Sequence, residues 1–175
     1  MKLCSKTILA TTFVGLIASP VLAGGTHGDG HGDGMAIGKP GKSAEADRVV
    51  EIIMTDNEFS IPEMTVKTGE TVRFVVVNEG EFLHEFNIGT QKMHANHQTE
   101  MMEMMEKGMM DGMRMMGQKG HDDPNSILLQ PGESGEITWT FGGPADIEFA
   151  CNVPGHYESG MVGPLSIRPS ATDNS

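Results

Sequence analysis

The stretch CNVPGHYESGM places Cys151, His156 and Met161 five residues apart in a Gly/Pro-containing loop that leaves a strand-like run. A thiolate, an imidazole and a thioether are soft or borderline donors. Zinc rarely accepts a thioether, and calcium or magnesium call for oxygens, so the trio points to copper. A further imidazole stands upstream, His84 in EFLHEFNI. Two His and one Cys in a trigonal plane with a long, weak Met bond on the axis make a type 1 copper site. Taken singly, each residue has an ordinary reading: Cys151 as a small buried hydrophobe, His84 as a hydrogen-bonded core histidine, Met161 as a gap filler. The spaced set favours the metal.

Strands must aim these donors. Read back from Cys151, the residues Ile147, Phe149 and Cys151 share one face, with Asp146 and Glu148 on the other. In EFLHEFNI the same alternation puts Phe82, His84, Phe86 and Ile88 on one face and Glu81, Glu85 and Asn87 opposite. Cys151 and His84 therefore point into a core, where an imidazole is costly unless its ring nitrogens are satisfied. Around them lie RVVEIIM, MTVK, TVRFVVVN, SILLQ, EITWTF and PLSIR, separated by turn material such as Pro131-Gly132. With HEFNI and DIEFAC these make about eight short strands, an all-β sandwich or barrel over residues 48–168, followed by a tail at 169–175.

FSIPEMTVKTGETVRFVVVNEGEFLHEFNI and CNVPGHYESGM together resemble the cupredoxins, the blue copper family of plastocyanin, azurin and pseudoazurin. The similarity covers roughly residues 48 to 168, apart from an insertion. The resemblance implies a Greek-key β-sandwich and one type 1 copper held by His84, Cys151, His156 and Met161. It also implies that His156 lies nearest the surface as the route for electrons. One position departs from the family: many small cupredoxins carry Asn directly after the first His ligand, where it ties the ligand loops together, and here that residue is Glu85. The neighbours of Cys151 are Ala150 and Asn152 rather than His, which argues against a fragment of a multicopper oxidase or nitrite reductase.

The insertion is residues 90–126, which contain no Val, Leu, Ile, Phe, Tyr or Trp. Within it MMEMMEKGMMDGMRMM holds nine of the fifteen methionines. On a helical wheel Met101, Met102, Met105, Met109, Met113 and Met116 gather within one third of the circumference, flanked by Met104 and Met115. One reading is an amphipathic helix laid on the β-frame, weakened by Gly108, Gly112 and Gly117. The other is a Cu(I) surface, because thioethers select that ion and a packing face would ordinarily use Leu or Ile. The Cu(I) candidates are Met101, Met102, Met104, Met105, Met109, Met110, Met113 and Met116, with His94, His97 and His121 alongside. The segment is expected to lie outside the β-frame, so that deleting residues 93–118 would leave fold and colour intact.

Lys2 and Lys6, the run ILATTFVGLIA and the exit VLA read as a secretory signal peptide, residues 1–23, which takes Cys4 with it. Cys151 is then a lone thiol sent to an oxidising compartment, the periplasm, where burial or a metal must account for it. Residues 24–47 read as a flexible Gly-rich arm, with His27 and His31 in tandem HGDG repeats as Cu(II) candidates. The formal net charge of −12, more negative once the leader's lysines are gone, repels nucleic acid and anionic membranes. Copper ions and a redox or copper-handling protein are the expected partners of a monomer with no membrane insertion. Two functions fit. One is copper tolerance, with binding of copper and oxidation of Cu(I) at the site. The other is soluble electron transfer between redox proteins. No acid–base pair, nucleophilic triad or phosphate loop marks an enzyme beyond cuprous oxidation.

Overall fold

The computed structural model of the chain describes residues 37–112, 114–116 and 123–170. The eight expected runs are all strands: β2 Arg48–Thr55, β4 Met64–Lys67, β5 Thr71–Asn78, β6 His84–Gly89, β7 Ser126–Leu129, β8 Ser134–Phe141, β9 Ala145–Ala150 and β10 Val162–Arg168. Two more, β1 Gly38–Pro40 and β3 Glu58–Phe59, are too short to show periodicity. Because β1 pairs with β8 and Ile37 is buried, the folded domain begins before the expected residue 48 and takes in the end of the arm. The leader, His27 and His31 lie outside the described residues.

Two five-stranded sheets form the sandwich, in the orders β1-β8-β5-β2-β3 and β4-β10-β9-β6-β7. Each mixes directions: β2 runs parallel to β5 and β4 parallel to β10, while the remaining pairs are antiparallel. Alternation fills the space between them. In β5, Val72, Phe74 and Val76 are fully buried, and Phe86 and Phe149 meet them from the other sheet side. Phe74 and Phe86 lie 5.2 Å apart by ring centroids, and Phe59 sits edge-on to Phe149 at 5.2 Å. Gly163, opposite Phe149 in the β9–β10 ladder, leaves room for that ring; a Cβ there would overlap it.

The insertion is part of the core rather than an appendage. Helix α1, Gln91–Glu106, opens at Thr90, whose hydroxyl accepts from the Met93 N–H, and closes before Gly108 at φ +67°. Its buried residues are His94, His97, Met101 and Met104, a stripe at helical spacing. The wheel's face is thus displaced: Met104, expected at the flank, is buried, and Met102 is 46% exposed. The two histidines, which the wheel left out, set the stripe. Beyond Gly108 the helix does not continue to Met116. Met110 bridges Met115, and the Met116 N–H donates to the Met109 carbonyl at 2.8 Å, making a small hairpin. Met110 is buried while Met109 and Met116 are 44% and 57% exposed. The Leu83 N–H donates to the Gly112 carbonyl at 3.0 Å, so this hairpin is bonded to the residue before His84. Met113 lies outside the described residues. No helix among the described residues is long and apolar enough to cross a membrane.

Candidate metal centre

His84 opens β6, Cys151 follows directly on β9, and His156 and Met161 lie in and just beyond the turn that leads to β10. Pairing of β6 with β9 places Asn87 opposite Ala150, so the starts of one strand and end of the other converge. One nitrogen from each of His84 and His156 and the Cys151 sulfur lie within 4.8 Å of one another. The Cys151 Sγ is 3.3 Å from His156 Nδ1 and 4.0 Å from His84 Nδ1. His84, Cys151 and Met161 are wholly buried and His156 is partly exposed. The loop is closed by backbone bonds: the Cys151 N–H donates to the Met161 carbonyl, and the Met161 N–H to the His156 carbonyl, each at 3.0 Å. Phe82, expected to face inward, precedes the strand and is 42% exposed, its ring 6.4 Å from that of His156.

Burial pushes the Cys151 thiol up to about 12, and the nearby Glu85 charge adds to this against the Glu85 and Val153 N–H groups that oppose it. The thiol therefore holds its proton until a cation competes for the sulfur. Burial and then the facing His84 lower His156, keeping its imidazole neutral and able to donate a lone pair. Two imidazoles, a thiol that yields only to a soft cation and a buried thioether in the same loop are chemically suited to copper.

Glu85 departs most from expectation. Alternation put it on the polar face, yet it is 1% exposed because α1 covers that face. Its N–H donates to Cys151 Sγ at 3.3 Å. Its carboxylate accepts from Asn152 Nδ2 at 2.8 Å, His97 Nε2 at 2.9 Å and Ser126 Oγ at 2.5 Å. Glu85 thus joins the residue after His84 to the residue after Cys151, the tie expected of Asn at this position. Burial alone would raise its carboxyl, but the His97 bond and charge, with Ser126 and Asn152, bring it below the usual value. Burial alone would lower His97, but Glu85 lifts it to about 9. A buried ion pair holds α1 to the centre.

Glu148 fastens the first turn of the helix. Gln91 Nε2 donates to its Oε1 and Tyr157 Oη to its Oε2, both at 2.8 Å, and His94 Nε2 lies 3.4 Å from its carbonyl. Burial and this carboxylate push the Tyr157 hydroxyl up to about 12. Sequence reading missed Asp56, whose Oδ1 lies 3.1 Å from His84 Nε2. It sits 28 residues away in the β2–β3 turn, and no local pattern links the two.

A cupredoxin-like domain model matches residues 34–121. The copper-resistant cuproprotein CopI of Pseudomonas aeruginosa is 47% identical over 171 residues, spanning 88% of this chain and 94% of that protein. The chain belongs to the cupredoxins. CopI of Rubrivivax gelatinosus is 38% identical over 95% of this chain and 94% of its own length. Among solved structures, auracyanin B overlays with a TM-score of 0.58 at 22% identity, covering 75% of this chain and 96% of that one. Dithionite-reduced auracyanin from Roseiflexus castenholzii gives 0.56 at 25% identity, over 71% and 99%. The cupredoxin fold and the donor set together indicate copper as the cofactor. The family match ends before Cys151, so three of the four expected ligands are read from the loop itself.

Proposed function

We propose that the protein is a periplasmic type 1 copper protein that serves copper tolerance, with His84, Cys151, His156 and Met161 as ligands. The convergence of two imidazole nitrogens and the Cys151 sulfur within 4.8 Å carries this reading. Bound copper would supply a one-electron Cu(II)/Cu(I) couple there. Cys151 releases its proton on binding, His84 and His156 offer ring nitrogens, and Met161 adds a thioether from the buried side. The partly exposed His156, beside the exposed Phe82, gives electrons the shortest way out. The naming of two relatives as copper-resistant cuproproteins supports tolerance. The exposed thioethers of Met102, Met109 and Met116 suit Cu(I) as cargo and as the electron source for the centre, whereas Met101, Met104 and Met110 serve packing. The leader read at residues 1–23 supports the compartment.

Cys151→Ser is expected to abolish intense visible absorption of the copper-loaded protein, because that colour is thiolate-to-Cu(II) charge transfer. A strongly coloured Cys151→Ser variant would overturn the ligand set. An anaerobic Cu(I) titration against a competing chelator tests the wider role. More than one tightly held ion per chain, reduced in a Met109→Leu/Met116→Leu variant, supports tolerance. A single ion, unchanged in that variant, makes soluble electron transfer the better reading.

A further inference from the structure

The β2–β3 turn touches both histidine-bearing segments of the centre. Asp56 Oδ1 is 3.1 Å from His84 Nε2 and also accepts the N–H groups of Glu81, at 2.9 Å, and Phe82, at 3.3 Å. The next residue, Asn57, is the one non-glycine among the described residues with positive φ, at 66°. Its Oδ1 lies 2.8 Å from Ser159 Oγ, which is itself 2.8 Å from the His156 carbonyl. Gly80 completes the arrangement: a Cβ there would fall inside contact distance of both Asp56 Oδ1 and His84 Nε2. Its own N–H is held by Asn78 Oδ1 at 2.9 Å, while Asn78 Nδ2 donates to the carbonyls of Phe82 and Leu129, both at 2.8 Å. A strained turn residue, a glycine kept bare and a buried amide thus converge on one carboxylate–imidazole bond.

A carboxylate only accepts, so His84 Nε2 carries the hydrogen and Nδ1, which faces Cys151, is the nitrogen left to bind a metal. A negative charge on the far nitrogen makes an imidazole a stronger donor and fixes its ring. It also stabilises the more positive state of whatever the ring binds. We propose that Asp56 is a positioning residue of the metal centre, fixing the tautomer and orientation of His84 and biasing the site toward cupric over cuprous copper. This rests on the ligand reading above. It goes beyond that reading in assigning redox selectivity to a residue that touches no metal.

Asp56→Asn tests it, because the amide keeps an acceptor oxygen and the size while losing the charge. Affinities of the full chain for Cu(II) and Cu(I) are measured separately against competing chelators, with the reduction potential followed spectroelectrochemically. Cu(II) binding is expected to weaken about tenfold or more, in the range such partners give, and Cu(I) binding much less. The potential then rises by roughly 59 mV for each tenfold change in the ratio. Asp56→Ala, which also strands the Glu81 and Phe82 N–H groups, is expected to exceed this and to lower the melting temperature. An unchanged Cu(II)/Cu(I) ratio in Asp56→Asn, with the wild type's charge-transfer band intact, overturns the inference and leaves Asp56 a fastener of the loop. Absence of that band in the wild type overturns the ligand reading and this inference together.

Discussion

The two halves of the methionine-bearing segment use one side chain in different proportions, mostly inward in the helix and mostly outward in the hairpin. From Gln91 to Glu106 the chain is a helix seated on β6 and β9, with Met101 and Met104 in the core at 2% and 6% exposure. From Met109 to Met116 it is a hairpin whose paired outer residues, Met109 and Met116, stand in solvent. Thioether content alone therefore assigns neither packing nor metal capture. The role is set by what lies opposite. Under the helix it is the polar face of β6, where Glu85 bonds His97 and the buried methionines lie on the same helical stripe. On the outer side of the hairpin it is water, while Met110 turns inward to the core.

Removing the whole segment is the most drastic way to break this contrast. Deleting residues 93–118 takes His94, His97, Met101, Met104 and Met110 from the core and uncovers Glu85. Each lost methionine is worth about 2–5 kcal/mol, comparable in sum with the roughly 5–15 kcal/mol that holds a domain together. Loss of cooperative unfolding by circular dichroism is expected, contrary to an insertion lying outside the frame. A folded deletion variant with native colour would return the helix to the status of an appendage.

Single substitutions sharpen the contrast. Met104→Ala is expected to cost about 2–5 kcal/mol in denaturant unfolding. Met102→Ala, two positions earlier on the exposed side, should stay within about 0.5 kcal/mol. Equal losses would mean that the helix is not seated as described.

The His97–Glu85 pair gives a smaller, pH-dependent effect in the metal-free protein. His97 is raised from 6.5 to about 9, so its contribution is fully present below pH 6.5 and lost as pH rises through about 9. Glu85 is lowered, so its contribution is present above pH 4.5 and lost as pH falls through its lower folded value. The melting temperature should decline between pH 6.5 and 9, and His97→Gln should flatten that decline. A flat wild-type profile across this interval would argue that the pair is not ionised.

Much of this architecture was legible in the residues. The β-branched runs located eight strands because alternation survives wherever one face is buried. The loop spacing pointed to Cys151, His156 and Met161, of which the fold brings Cys151 and His156 together with His84, and parity aimed Cys151 and His84 inward. Parity failed at Glu85 and Asn87 because it assumes water on the second face, and here a helix lies there. The helix itself was read too long, since the glycines were weighed as a cost along a helix rather than as its end at Gly108. Asp56 was invisible for a different reason: its partner is distant in sequence, and only the folded turn brings them together.

Glu148 has one further consequence, in the way the molecule opens. Its two carboxylate oxygens hold Gln91 at the head of α1 and Tyr157 in the loop between Cys151 and Met161. Backbone amides in a glycine-containing surface loop ordinarily exchange their hydrogens quickly, because such loops open on their own. Here the loop and the head of the helix are both tied to one carboxylate on β9, and the helix is tied a second time through the His97–Glu85 pair. Amide protons of the loop are therefore expected to exchange more slowly than those of an untethered glycine-containing loop, and Glu148→Ala to speed them.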